Sequence, residues 1–125
     1  MPEEFRIQFA RHFHFLCAAQ KGLHMVYTTN EIKEKLLPIL SAVQIVERAV
    51  LFGSYAKGNP TPRSDIDILI DSNGKISGID FFGVLEEITE ALGLPVDLIE
   101  ASQVVEGGRA QREITETGVL IYERA

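Results

Sequence analysis

The chain has 125 residues, 46% of them apolar, with 12 Lys plus Arg against 18 Asp plus Glu and a formal net charge of −6. That length and apolar content suit one globular domain and leave no room for a second, no apolar run approaches the ~20 residues that cross a bilayer, and a single cysteine, Cys17, excludes a disulfide framework or a thiolate metal cluster. The acidic balance excludes tracking of a long nucleic-acid backbone, which draws its affinity from Lys and Arg, and leaves open a small anion held through metal ions; the lone thiol suits a reducing, cytoplasmic setting.

Composition changes at Met25. All three histidines (His12, His14, His24), Cys17 and four of the seven phenylalanines precede it, and residues 1–24 carry a net charge of +1, which leaves −7 for residues 25–125. We therefore expect an N-terminal extension, 1–24, joined to a domain, 25–125. Phe5, Phe9, Phe13 and Leu16 recur at helical spacing and predict a short helix. Glu3, Glu4 and His14 fit a secretory signal poorly. The extension reads either as a helix packed on the domain or as sequence translated ahead of a start at Met25.

From Thr28 the signals are regular. Thr28 and Glu31 have capping-box spacing, and Ile32, Leu36, Leu37, Ile39, Leu40 and Val43 supply the apolar face of a helix that Pro38 should bend or divide. A strand follows at Ala49–Phe52, ended by Gly53, then a turn-rich stretch from Gly58 to Arg63 and a second strand at Ile66–Ile70. Asp80 is placed to cap a helix through Leu92, with Phe81, Val84, Leu85, Ile88 and Leu92 inward and its acids on a solvated face; Gly93 and Pro95 end it. Val96–Ile99 is a third strand, Ala110–Glu116 a weaker helix after a flexible break at Gly107-Gly108, and Val119–Tyr122 a last strand. The order predicts an α/β or α+β fold, a small mixed sheet flanked by helices.

The chemistry concentrates between Leu51 and Ile70. Side chains alternate along a strand, so Asp65 and Asp67 emerge on one face while Ile66, Ile68 and Ile70 point to the other. Two like charges this close disfavour each other's ionisation unless a cation compensates, and Mg2+, which takes one or two carboxylates and completes its shell with water and phosphate oxygens, suits them. If the third strand neighbours the second, Asp97 joins as a third acid, and three carboxylates around two metal ions is a recurring arrangement for in-line displacement at phosphorus. Gly53 after a buried strand lets phosphate approach the backbone, and a short helix beginning near Ser54 would present N–H groups and a hydroxyl. Gly53 and Gly58 have Walker A spacing, but Asn59-Pro60 stands where Lys and Ser/Thr are required. Lys57 and Arg63 are candidates for triphosphate contact or for plain surface solvation, and Ser64 for phosphate contact or for a local bond that orients the loop. The bland alternatives are a strand-end turn with an acid-capped loop at Gly53–Asp67, and a solvated edge acid at Asp97, the reading also given to Glu100. The histidines and Cys17 read as surface or packing residues.

Gly53-Ser54, ten intervening residues, Asp65-x-Asp67 and the later strand acid Asp97 resemble the nucleotidyltransferase superfamily of DNA polymerase beta type. The runs Phe52-Gly53-Ser54-Tyr55-Ala56-x-Gly58 and Ser64-Asp65-Ile66-Asp67-Ile68-Leu69 resemble its minimal nucleotidyltransferase branch, the antitoxin partners of HEPN-domain toxins, over Thr28 to Tyr122. The resemblance implies a nucleotidyltransferase fold and transfer of AMP from ATP to a hydroxyl with Mg2+ as cofactor. It further implies Asp65, Asp67 and Asp97 as metal ligands and catalytic acids, Asp97 with a part in deprotonating the acceptor, and Gly53 and Ser54 at the triphosphate. The acceptor implied is a tyrosine of the HEPN toxin, a ribonuclease, with which the chain would form a hetero-oligomer. Because the sequence ends soon after its last strand, the wall for the acceptor is expected from a partner or from self-association. Two alternatives stand beside this: an antitoxin that acts by occlusion alone, and an enzyme acting on a small hydroxyl compound of the aminoglycoside kind.

Overall fold

The computed structural model describes residues 26–124, and the expectations for residues 1–24 lie outside the described residues. Helix α1 (Thr29–Ala42) starts at the expected capping box: Thr28 Oγ1 accepts from Glu31 N at 3.2 Å, and Glu31 Oε1 accepts from Thr28 N at 2.9 Å. Ile32, Leu36 and Leu40 form its buried stripe. Leu37, expected on that stripe, is 55% exposed, because one residue beyond Leu36 turns the side chain by about 100° away from it. The helix runs undivided through Pro38, so of the two expected outcomes, bending or division, division does not occur. The ring removes only the bond to the Glu34 carbonyl, and both residues lie on the exposed face, where water can satisfy that oxygen.

The remaining elements are β1 (Arg48–Phe52), α2 (Ser54–Lys57), β2 (Ile66–Asp71), α3 (Gly78–Leu92), β3 (Val96–Glu100), a 3-10 turn (Ala101–Gln103), α4 (Arg109–Thr117) and β4 (Val119–Glu123). The cap of α3 is Ser77, whose Oγ accepts from Asp80 N at 3.1 Å, so Asp80 sits inside the first turn and is not the cap. There its charge faces the positive end of the helix.

The strands form one mixed sheet in the order β3-β2-β1-β4, with β1 antiparallel to β2 and β4, and β2 parallel to β3. Helix α3 is the crossover that parallel neighbours require, and it packs beside α1. Ile32, Leu36 and Leu40 of α1, with Val84, Ile88 and Leu92 of α3, meet Leu51, Ile66, Ile68, Ile70, Leu98 and Ile121 from one face of the sheet. Tyr27 Oη donates to the buried Leu92 carbonyl at 2.6 Å, which ties the entry of α1 to the end of α3. Among the described residues no helix is long and apolar enough to cross a membrane.

Glu100 is not the solvated edge acid expected. It is 4% exposed and accepts from Ser72 N and Ser72 Oγ, both at 2.7 Å, and from Ser102 N at 2.6 Å. Burial pushes its carboxyl up, and the hydrogen bonds from Ser102 and Ser72 outweigh that and hold it at about 2, against an ordinary value of 4.5. A folded pKa below the unfolded one adds stability above the ordinary glutamate range and loses it as pH falls toward 2. Glu100→Gln should therefore cost roughly 2 to 3 kcal/mol near pH 7. In urea denaturation the gap between variant and parent should shrink as pH is lowered from about 5 toward 2; a gap constant across that range would contradict the assignment.

Candidate functional site

The face of the sheet opposite that core carries polar chemistry. Phe52 at the end of β1 pairs with Asp67 of β2, and Asp67 pairs with Asp97 of β3, so one row crosses three strands with side chains on the same face. The sequence condition on Asp97, that its strand lie beside the second, is met. Asp65 stands one residue before β2.

Beyond Phe52 the chain turns at Gly53 into α2, whose first residue is Ser54. Gly53 has φ 75° and ψ −157°, a region essentially confined to glycine. A Cβ there would also collide with Asp67 Oδ2. The Asp67 carboxylate thus lies directly over the Gly53 backbone, and both constraints select the same residue.

These groups line a single cleft of about 590 Å³. Its sheet side is built from Phe52, Asp67, Asp97 and Ile99, and its loop side from Gly53, Ser54, Lys57, Asn59 and Asp65. Arg109, Ala110 and Glu113 of α4 close the remaining side. Asp67 is half-buried, and its carboxyl is raised to about 6: burial comes first, then the negative charges of Asp97, Glu113 and Asp65, with Arg109 opposing them. Hard oxygen donors held close enough to repel one another fit a divalent cation, which would relieve that repulsion. Among the described residues no three acid, imidazole or thiol groups close around one point. An ion here would complete its shell with water and substrate oxygens, as the smaller divalent cations do.

Of the eight residues singled out from sequence, Gly53, Ser54, Lys57, Asp65, Asp67 and Asp97 meet in this cleft, and Arg63 and Ser64 are not among its lining residues. Ser64 Oγ accepts from Thr61 N at 2.9 Å, and Arg63 N donates to Thr61 Oγ1 at 3.3 Å. Both residues belong to a turn organised by Thr61, and Arg63 is exposed. Ser64 thus has the loop-orienting bond that was one of its two readings.

Sequence reasoning missed Arg109 and Glu113. Glu113 Oε1 lies 3.1 Å from Arg109 Nε and 3.8 Å from Lys57 Nζ, so one carboxylate oxygen gathers both cations at the cleft. The spacing of Arg109 and Glu113, four apart on a helix, was the available signal. Nothing local shows that this helix returns across β1.

Comparison with known proteins agrees with this geometry. The family model "Polymerase beta, Nucleotidyltransferase" matches residues 34–125. A protein of Methanocaldococcus jannaschii with a provisional protein-adenylyltransferase name is 40% identical over 75 residues, 60% of this chain and 80% of that protein. The protein adenylyltransferase MntA of Thermococcus cleftensis is 39% identical over 57 residues, 46% of this chain and 58% of that one. Among solved structures, a chain in the complex of a tri-AMPylated Shewanella oneidensis HEPN toxin with its MNT antitoxin shares the fold, with a TM-score of 0.60 and 18% identity over 78% of this chain and 74% of that one.

Gly53→Ala should cost about 1–3 kcal/mol in chemical denaturation, for backbone strain alone. It should also push the Asp67 carboxylate off the turn, so that by carboxyl 13C NMR it titrates nearer the ordinary aspartate range than near 6. Unchanged titration in a folded Gly53→Ala protein would show that the contact does not hold Asp67.

Proposed function

The chain belongs to the polymerase beta nucleotidyltransferase family, and from that premise we propose that it transfers AMP from ATP to a tyrosine hydroxyl of a partner HEPN toxin and so acts as its antitoxin. The observation that carries this reading is the in-register pair of Asp67 and Asp97, set over the Gly53 turn and facing Lys57 across one cleft. The names of the adenylyltransferase relatives and the AMPylated toxin in the neighbouring structure support the choice of group transferred and of acceptor.

In this reading Asp65, Asp67 and Asp97 would hold Mg2+, as two ions, which would offset the charge of the carboxylates and phosphates and supply Lewis-acid activation at the α-phosphorus. The chain's own groups do the rest. The turn at Gly53 and Ser54 receives the triphosphate on backbone N–H groups that the first turn of a helix leaves without intrahelical partners. Lys57 offsets the charge that builds on the departing pyrophosphate. Asp97, exposed at the end of the row, takes the tyrosine proton as the new P–O bond forms and the bond to pyrophosphate breaks. The reading places the protein in the cytoplasm with its ribonuclease partner, as a hetero-oligomer, and confines the chemistry to residues 25–125.

With the HEPN partner and α-labelled ATP, label should pass to the toxin, and Asp65→Asn or Asp67→Asn should reduce transfer by about 10²- to 10³-fold or more. Transfer that survives both substitutions would remove these acids from the mechanism, and toxin protection by a folded, inactive Asp67→Asn protein would favour inhibition by occlusion. A chain starting at Met25 should keep wild-type transfer, measured in the same assay. If it folds and loses transfer, the division of the chain at that point is wrong.

A further inference from the structure

Resting on the nucleotide-transfer reading above, we infer that Arg109, on the first turn of α4, is a triphosphate-binding residue that works with Lys57 to discriminate ATP from AMP. Three observations carry it. Arg109 lines the same cleft as Gly53, Lys57 and the three aspartates, although it comes from an element 42 residues further along the chain than Asp67. Its Nε and the Lys57 Nζ converge on a single oxygen, Glu113 Oε1, at 3.1 and 3.8 Å, so the protein already assembles a two-cation site around one anionic oxygen. The anchor and the cation also differ in freedom: the Glu113 side chain is 17% exposed and that of Arg109 is 86% exposed. Arg109 can therefore swing toward a phosphate while the anchor stays in the wall.

The charge balance of the cleft points the same way. Asp65, Asp67, Asp97 and Glu113 face only Lys57 and Arg109 among the charged groups that line it. With a metal ion neutralising the aspartates, the two cations would be the positively charged side chains left in the lining to meet phosphate oxygens, beside the Gly53-Ser54 turn. A guanidinium suits that role, with five donors in a planar fork. Its one hydrogen bond among the described residues uses Nε, which leaves both terminal nitrogens for a ligand. The α-phosphate must lie at the aspartates for transfer, so the cations meet the β- and γ-phosphates, which AMP lacks.

The test is equilibrium binding of ATP and of AMP to the full chain in Mg2+, for the parent, Arg109→Ala and Arg109→Lys. Arg109→Ala should weaken ATP binding by about tenfold, as loss of a hydrogen bond between charged groups does, and change AMP binding by less than about twofold. Arg109→Lys should fall between parent and alanine, since it keeps the charge and loses the fork. The side chain is exposed, so thermal melting should be unchanged. Equal weakening of ATP and AMP, or no weakening of either while the parent binds ATP, overturns the inference. A parent chain that binds no ATP in Mg2+ instead overturns the nucleotide site on which it rests.

Discussion

The parallel pairing of β2 with β3 is the constraint on which both the core and the cleft depend. Its register sets Asp67 beside Asp97 and, through the same alternation, Ile66 and Ile68 beside Val96 and Leu98. A slip of one residue would send the isoleucines to the cleft and the acids into the core. Burial of the isoleucine face under α1 and α3 is therefore what holds the acids in line. At ~25 cal/mol per Å² of apolar surface, several fully buried isoleucine and leucine side chains supply far more than the repulsion between two half-solvated carboxylates opposes. Stability and chemistry draw on opposite faces of the same strands.

Two carboxylates in this sheet show how differently the fold treats acids. Glu100, at the end of β3, is buried but receives N–H and O–H donors from Ser72 and Ser102, and its carboxyl is held at about 2. Asp67, on the adjacent strand, is half-buried among other acids and is raised to about 6. The first is a structural joint between the turn after β2 and the 3-10 turn after β3. The second is left with unmet electrostatic demand, and a site that binds a cation needs that demand, since an acid already satisfied by the protein has little to gain from a metal.

Much of this was legible in the sequence because it is encoded locally. The capping box at Thr28 and Glu31, the alternation through Ile66–Ile70, and the Gly53-Ser54 and Asp65-x-Asp67 spacing each fall within one or two adjacent elements, and each reappears in the structure. The errors have a common physical source, which is that side-chain environment depends on which distant segment arrives. Glu100 reads as a surface acid until the Ser72 turn is brought against it. Arg63, left open between phosphate contact and solvation, is exposed and outside the cleft lining, a placement that its own neighbourhood in the sequence does not decide. Arg109 and Glu113 carry no local signal of the cleft, because only the packing of α4 against β1 delivers them to it. Division at Pro38, one of the two expected outcomes, is absent for a different reason: its cost falls on one solvent-facing carbonyl, while the Ile32, Leu36 and Leu40 stripe holds the helix on both sides of it.

The return of α4 also changes what the cleft is suited to hold. Without that helix the aspartates would lie on an open sheet face, with Lys57 the only nearby cation from the loop side. With it, Arg109 and Glu113 add a cation and an acid to a lining that also includes the apolar Phe52, Ile99 and Ala110. Under the proposed reading its charged members meet a metal-bound polyphosphate by charge and hydrogen bonding. Under the proposed reading the cleft holds and activates the nucleotide, and the choice of acceptor comes from the surface that presents the tyrosine. Specificity in such a pairing resides in docking, and the transfer chemistry can remain the same whichever hydroxyl is delivered.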